Sequence, residues 1–218
     1  MKERPILFSG PMVQAILTSQ KTRTRREVKW PLMSASDGNK RRRLIESDAP
    51  LLQEILKGPF RSPLTRFSPY GQPGDRLWVR ETWSVDAVSM YPCPQVWYRA
   101  DNSIDPTAGH VCPKESLGRY ADCLACWERR EGRKFKWMPS IFMKRHHSRL
   151  SLEVVNVRVE RLQEITEADA IAEGIGHNDV DAAVIDYASL WDRIHGAGSW
   201  DANPFVWVVE FKRVEVAA

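Results

Sequence analysis

The segment Lys21-Thr22-Arg23-Thr24-Arg25-Arg26 places a lysine and a threonine hydroxyl three residues apart among fixed positive charges. A threonine hydroxyl is a poor nucleophile until a neighbouring base takes its proton. Lysine serves as that base only when burial or nearby cations lower its pKa, and Arg23, Arg25 and Arg26 stand where they would contribute. The same cluster could equally cradle an anionic ligand. A third residue suited to proton transfer is Glu173, which ends a helical stretch and is followed by Gly174-Ile175-Gly176. By spacing alone, a charged surface strand and an ordinary helix-end glutamate account for these residues just as well.

The elements that would position them can be read from periodicity. Ile6-Leu7-Phe8 reads as a short strand. Gly10-Pro11 then opens a helix whose stripe is Val13, Ile16 and Leu17, ending near Ser19-Gln20 so that Lys21 sits on the following turn. Beyond it, an extended segment would turn Thr22, Thr24 and Arg26 to one side and Arg23 and Arg25 to the other. Arg76–Trp83 reads as one alternating strand after the Gly71–Asp75 turn, and Leu150–Val159 as another. Thr166-Glu167-Ala168-Asp169 resembles a capping box that starts a helix running to Glu173-Gly174. A longer helix over about 180–195 carries Val184, Tyr187, Leu190, Trp191 and Ile194. Phe205–Phe211 is a near-continuous apolar strand, expected to be central in a sheet. Residues 31–72 and 86–135 read as insertions, the first with a helix at 49–57. Several strands with few helices favour an α+β fold, a small mixed β-barrel with packed helices, over a doubly wound sheet.

At 218 residues the chain is long enough for one large domain carrying insertions. It has 32 basic and 28 acidic residues, a net charge of +4, with basic blocks at 21–29, 40–43 and 144–149 and acids gathered in 160–201. Separate positive and negative faces would suit a nucleotide or nucleic acid. Nine tryptophans are unusual, and most of them read as core residues; should the chain act on a nucleoside, Trp78, Trp83 or Tyr98 could stack on the base, with Arg80 and Glu81 as polar contacts. No apolar run approaches the ~20 residues that span a bilayer, and Met1–Phe8 has no signal-peptide run, so a cytoplasmic protein without membrane contact is expected. There its four cysteines would stay reduced. Cys112, Cys123 and Cys126 with Cys93 or His110 could hold a structural zinc; four free thiols fit the same spacing.

Pro11–Arg26, with Lys21, Thr24 and Arg26, resembles the K-x-x-T-x-R signature of the ASCH family, a branch of the PUA-like superfamily. Pro73–Val79 is similar to that family's P/T-G-D-x-L-x-V segment, and Val157–Gly174 and Phe205–Lys212 are similar to its later strand, helix and closing strand. With Arg80–Trp83, Trp137–Ile141 and Ser199–Pro204, the whole chain resembles the longer phage and prophage members. The resemblance implies a single PUA-like β-barrel domain over 1–218 with the two insertions. In the core blocks the chain is similar to compact bacterial N4-acetylcytidine amidohydrolases. That similarity implies Thr24 as nucleophile, Lys21 as its activator and Glu173 as the proton-handling group, with no cofactor needed. The basic residues Arg23, Arg25 and Arg26 would then orient a nucleoside or modified base. The family's glycine before the lysine is Ser19 here. Other relatives bind RNA or are described as ribonucleases, so an RNA-binding module and a nuclease stay open beside the hydrolase.

Overall fold

The computed structural model describes residues 1–29, 65, 67–85, 96–101, 103–104, 136–176 and 182–214. Among the described residues eight strands are seen: β1 (Glu3–Leu7), β2 (Arg23–Glu27), β3 (Arg76–Arg80), β4 (Trp83–Val85), β5 (Val96–Tyr98), β6 (Ser103–Ile104), β7 (Ser151–Arg161) and β8 (Phe205–Val214). Also among the described residues are the α-helices α1 (Gly10–Leu17), α2 (Glu167–Ala172) and α3 (Ala183–His195). The fold is α+β. Five strands form one sheet in the order β1-β3-β7-β8-β2, and three form another in the order β4-β5-β6. The larger sheet is mixed. Arg76 N–H donates to the Lys2 carbonyl and Phe8 N–H to the Arg80 carbonyl, so β1 and β3 run parallel. β2 and β8 are antiparallel, with Arg23 opposite Glu210 and Glu27 opposite Val206.

The chain divides into two compact units: Met1–Arg4, Ala15–Leu77 and Leu152–Ala218 in the first, Pro5–Gln14 and Trp78–Ser151 in the second. The first is built round Leu162, Ile165, Ala170, Ala183, Tyr187, Trp191, Val206 and Val208, where α2 and α3 cover β8. β8 lies between β7 and β2, and its run Val206–Val209 is buried without alternation, as an interior strand covered on both faces requires. The second unit has its own cluster of Trp83, Val96, Tyr98 and Met143, with Met138 packed against it.

Two sequence expectations need correction. Arg76–Trp83 is not one strand: β3 stops at Arg80, Glu81 and Thr82 lie outside the ladders, and Trp83 begins β4 in the other sheet. The alternation along β7 also slips by one residue. Val154 and Val157 are buried on either side of the exposed pair Val155 and Asn156, so Val157 lies inside and Asn156 outside. Most of both expected insertions, the expected helix at 49–57, all four cysteines and His110 fall outside the described residues. No helix among the described residues is long and apolar enough to cross a membrane.

Candidate functional site

Two helix ends present the central pair. At the end of α1 the Ser19 N–H donates to the Ile16 carbonyl (3.1 Å) and the Gln20 N–H to the Ala15 carbonyl (2.8 Å). This is the paired pattern of a Schellman turn, and it requires a left-handed residue at position 19. Ser19 adopts it, with φ of 60°. The turn delivers Lys21, whose own N–H returns to the Ala15 carbonyl at 2.9 Å. α2 ends the same way: Gly174 (φ 88°) donates to Ile171 and Ile175 donates to Ala170, leaving Glu173 as the last αR residue. The helix itself starts as expected, with the Thr166 hydroxyl accepting from Asp169 N–H at 3.2 Å. Thr22 N–H then bonds the Ala172 carbonyl at 2.9 Å, tying the two turns together.

Lys21 Nζ donates to the Glu173 carboxylate Oε2 and to the Glu173 main-chain carbonyl, both at 2.7 Å. That carbonyl belongs to the helix end, where the backbone dipole is negative and a cation is favoured. Lys21 is 2% exposed and Glu173 is 6% exposed, so the pair is shielded from water. Burial pushes the Lys21 ammonium below its ordinary pKa of 10.5; the Glu173 carboxylate opposes that, and the charges of Arg26 and Arg25 add to it.

The next residues of β2 extend the network. Arg25 is fully buried at its side chain and contacts three carboxylates: Glu160 Oε1 at 2.6 Å, Asp169 Oδ2 at 2.7 Å and Glu173 Oε1 at 3.5 Å. Arg23 pairs with Asp169 and, at 3.3 Å, with Glu210. Arg158 on β7 pairs with Glu160 at 2.9 Å and with Glu210. Four cations (Lys21, Arg23, Arg25, Arg158) thus meet four carboxylates (Glu160, Asp169, Glu173, Glu210). The expectation of one positive and one negative face does not hold for this segment, because the acids of the last third interdigitate with the basic strand. Arg23 and Arg25, which the sequence suggested for a substrate, are paired with these acids, Arg25 through its two terminal nitrogens.

Thr24 is 2% exposed and lies opposite Val209 on β8. Strand alternation puts Thr24 and Arg26 on one face of β2, with Arg23 and Arg25 on the other. The Arg26 charge acts on Lys21, Tyr70, Tyr187 and His195. Tyr187 on α3 is buried, and its hydroxyl is held well above the ordinary tyrosine pKa by burial and then by the Glu173 charge. Sequence reasoning did not single out Asp169, Glu160, Arg158, Glu210 or Tyr187 as site residues. Asp169 was visible only as a helix-cap position, and Tyr187 only as part of an apolar helix stripe.

Trp78, Arg80 and Glu81 belong to the second unit. The Arg80 guanidinium sits 4.7 Å from the centre of the Trp78 ring. Glu81, 1% exposed, accepts from Arg149 Nε and Nη2, each at 2.9 Å. Burial raises the Glu81 pKa, and the Arg149 contact opposes it. Arg149 also pairs with Asp101 at 2.8 Å and lies 4.1 Å from the Tyr98 ring centre, while Trp83 meets the His147 ring at 4.4 Å. The ring faces of Trp78, Trp83 and Tyr98 that the sequence offered for base stacking therefore each carry a side chain of this chain.

Among the described residues there is no group of three or more His, Cys, Asp or Glu able to hold a metal; Cys93, Cys112, Cys123 and Cys126 lie outside them. Compared with protein-family models, with curated proteins and with solved structures, the chain matches none.

Proposed function

We propose that the chain is an ASCH-type member of the PUA-like superfamily, its larger sheet corresponding to the superfamily's barrel, and that it hydrolyses the amide of an acylated nucleoside or nucleobase of the N4-acylcytidine type. The observation that carries the reading is the buried Lys21–Glu173 pair. An exposed cluster of Lys21, Arg23, Arg25 and Arg26 would suit a nucleic-acid backbone. Buried and acid-paired Lys21 and Arg25 side chains instead suit proton transfer within a closed site.

In the proposed reaction, Thr24 Oγ bonds to the acyl carbon as its proton passes to neutral Lys21 Nζ. The tetrahedral oxyanion collapses, the C–N bond breaks, and the proton goes to the departing amine nitrogen. Water then attacks the threonine ester while Glu173 takes one of its protons; the ester C–O bond breaks as Glu173 returns that proton to Thr24 Oγ, releasing the carboxylic acid and restoring the threonine hydroxyl. Only protein groups and water take part. Arg26, whose charge acts on Lys21, would be the cation that favours the oxyanion.

The test is cytidine release from N4-acetylcytidine by the purified chain. The reading expects release by the intact protein and a fall of about 10²–10⁴-fold in Lys21→Ala and Thr24→Ala, both still folded. No release by the intact protein would contradict it.

A further inference from the structure

We infer that Arg25, clamped by Asp169 and Glu160, is a positioning residue that divides the Glu173 carboxylate, taking Oε1 and leaving Oε2 to Lys21. The role assigned to Lys21 rests on the hydrolase reading; the clamp itself does not.

The division follows from the contacts. Arg25 Nη2 is fixed by Glu160 Oε1 at 2.6 Å and Asp169 Oδ2 at 2.7 Å, which aims Nη1 at Glu173 Oε1, 3.5 Å away. On the other side Lys21 Nζ holds Glu173 Oε2 at 2.7 Å. The Arg25 and Lys21 side chains are both fully buried, so neither cation has water as a substitute partner. In that setting a charge added or removed at one end of the chain Asp169–Arg25–Glu173–Lys21 is felt at the other. Asp169 is held in turn by Arg23 and Arg158, and Glu160 by Arg158, so the clamp has support from β2, β7 and α2. Facing Lys21 and Glu173 are also Arg26 on β2 and Tyr187 on α3, with Glu210 on β8 closing the network at Arg23 and Arg158.

Two neutralising substitutions must then move Lys21 in opposite directions. Arg25→Gln frees Glu173 for Lys21 and removes a neighbouring cation, so the ammonium is favoured. Asp169→Asn takes the 2.7 Å partner from Arg25 and leaves its charge to Glu173, so the ammonium is disfavoured. The experiment follows the Lys21 side chain by NMR in lysine-labelled protein, assigned with Lys21→Arg. The midpoint should rise by about one pH unit in Arg25→Gln and fall by a similar amount in Asp169→Asn. An unchanged midpoint, or shifts in the same direction, in folded variants would overturn the clamp. Should Arg25→Gln not fold, Asp169→Asn and Glu160→Gln, which keep the guanidinium, carry the test: both midpoints must fall, and either one unchanged overturns it. Opposite shifts without hydrolysis of N4-acetylcytidine would leave the clamp standing and remove the hydrolase reading. With hydrolysis, the acid limb of kcat/KM should follow the Lys21 midpoint in each variant.

Discussion

Lys21 carries an amine where water does not reach, and its proton affinity falls for that reason. A base must be neutral to act, so kcat/KM for the proposed amide hydrolysis should rise with pH through the lowered Lys21 pKa. A Lys21→Arg variant, which cannot lose its proton in that range, should show neither the limb nor the activity. A pH–rate profile with no rise anywhere below pH 10.5 would contradict this. Asp75 titrates in the other direction. Against the cost of its own desolvation, bonds from Lys2 N–H, Arg4 and Gln72 N–H hold its carboxylate down to about 2 from an ordinary 3.8. Its folded pKa is depressed, so its stabilisation is present above about pH 4 and lost as pH falls toward 2. Asp75→Asn should therefore melt earlier than the parent at pH 7, with the gap closing below pH 4. The sequence made Lys21 and Glu173 visible because Lys21 follows one recognisable helix end and Glu173 closes another. It hid Asp169 and Glu160 as partners of Arg25, since those contacts join residues 144 and 135 positions apart and leave no local pattern.

At the scale of elements, the site is the meeting of two Schellman turns, and each has one position that decides its geometry. Position 19 is left-handed at φ 60°, which costs a β-carbon residue about 1–2 kcal/mol, while glycine carries its own entropic cost. Ser19→Gly should accordingly stabilise the chain by about 0.5–1 kcal/mol, seen as a higher Tm with Lys21 still in place. Gly174 leaves no such latitude. A Cβ there would lie 2.9 Å from Ala15 Cβ and 3.2 Å from Lys21 Cβ, at a φ of 88°. Gly174→Ala should cost about 1–3 kcal/mol and displace Lys21, so activity should fall further than stability alone explains. Both helices and the cap at Thr166 were legible from spacing, because caps and stripes are local. The break at Glu81 was not. The alternation Leu77-Trp78-Val79 continues smoothly into Thr82-Trp83, while the change of sheet after Arg80 and the Arg149 partner of Glu81, 68 residues away, leave no local pattern.

Across the whole molecule, the uneven charge in the sequence resolves into paired charges in space. Lys21, Arg23 and Arg25 of the basic run, with Arg158, form one network with four carboxylates (Glu160, Asp169, Glu173 and Glu210) in the first unit. A surface cradle would release counterions on binding and weaken steeply with salt; a neutralised interior would not. The KM for a neutral nucleoside substrate should therefore change little between about 50 and 200 mM salt, and a steep loss of affinity over that range would favour a nucleic-acid surface. Composition could report the charge but not its pairing, because pairing depends on the sheet order β7-β8-β2 that brings Arg158, Glu210 and Arg23 side by side. The central claim is that Thr24, activated beside the buried Lys21–Glu173 pair, attacks an acyl group. It is tested most directly by acid-quenching the chain during turnover of N4-acetylcytidine and locating any acyl adduct by mass spectrometry. One acetyl group on Thr24, present in the parent and absent in Lys21→Ala, is the result this account predicts. Cytidine release with no adduct on Thr24, under conditions that slow deacylation, would contradict it.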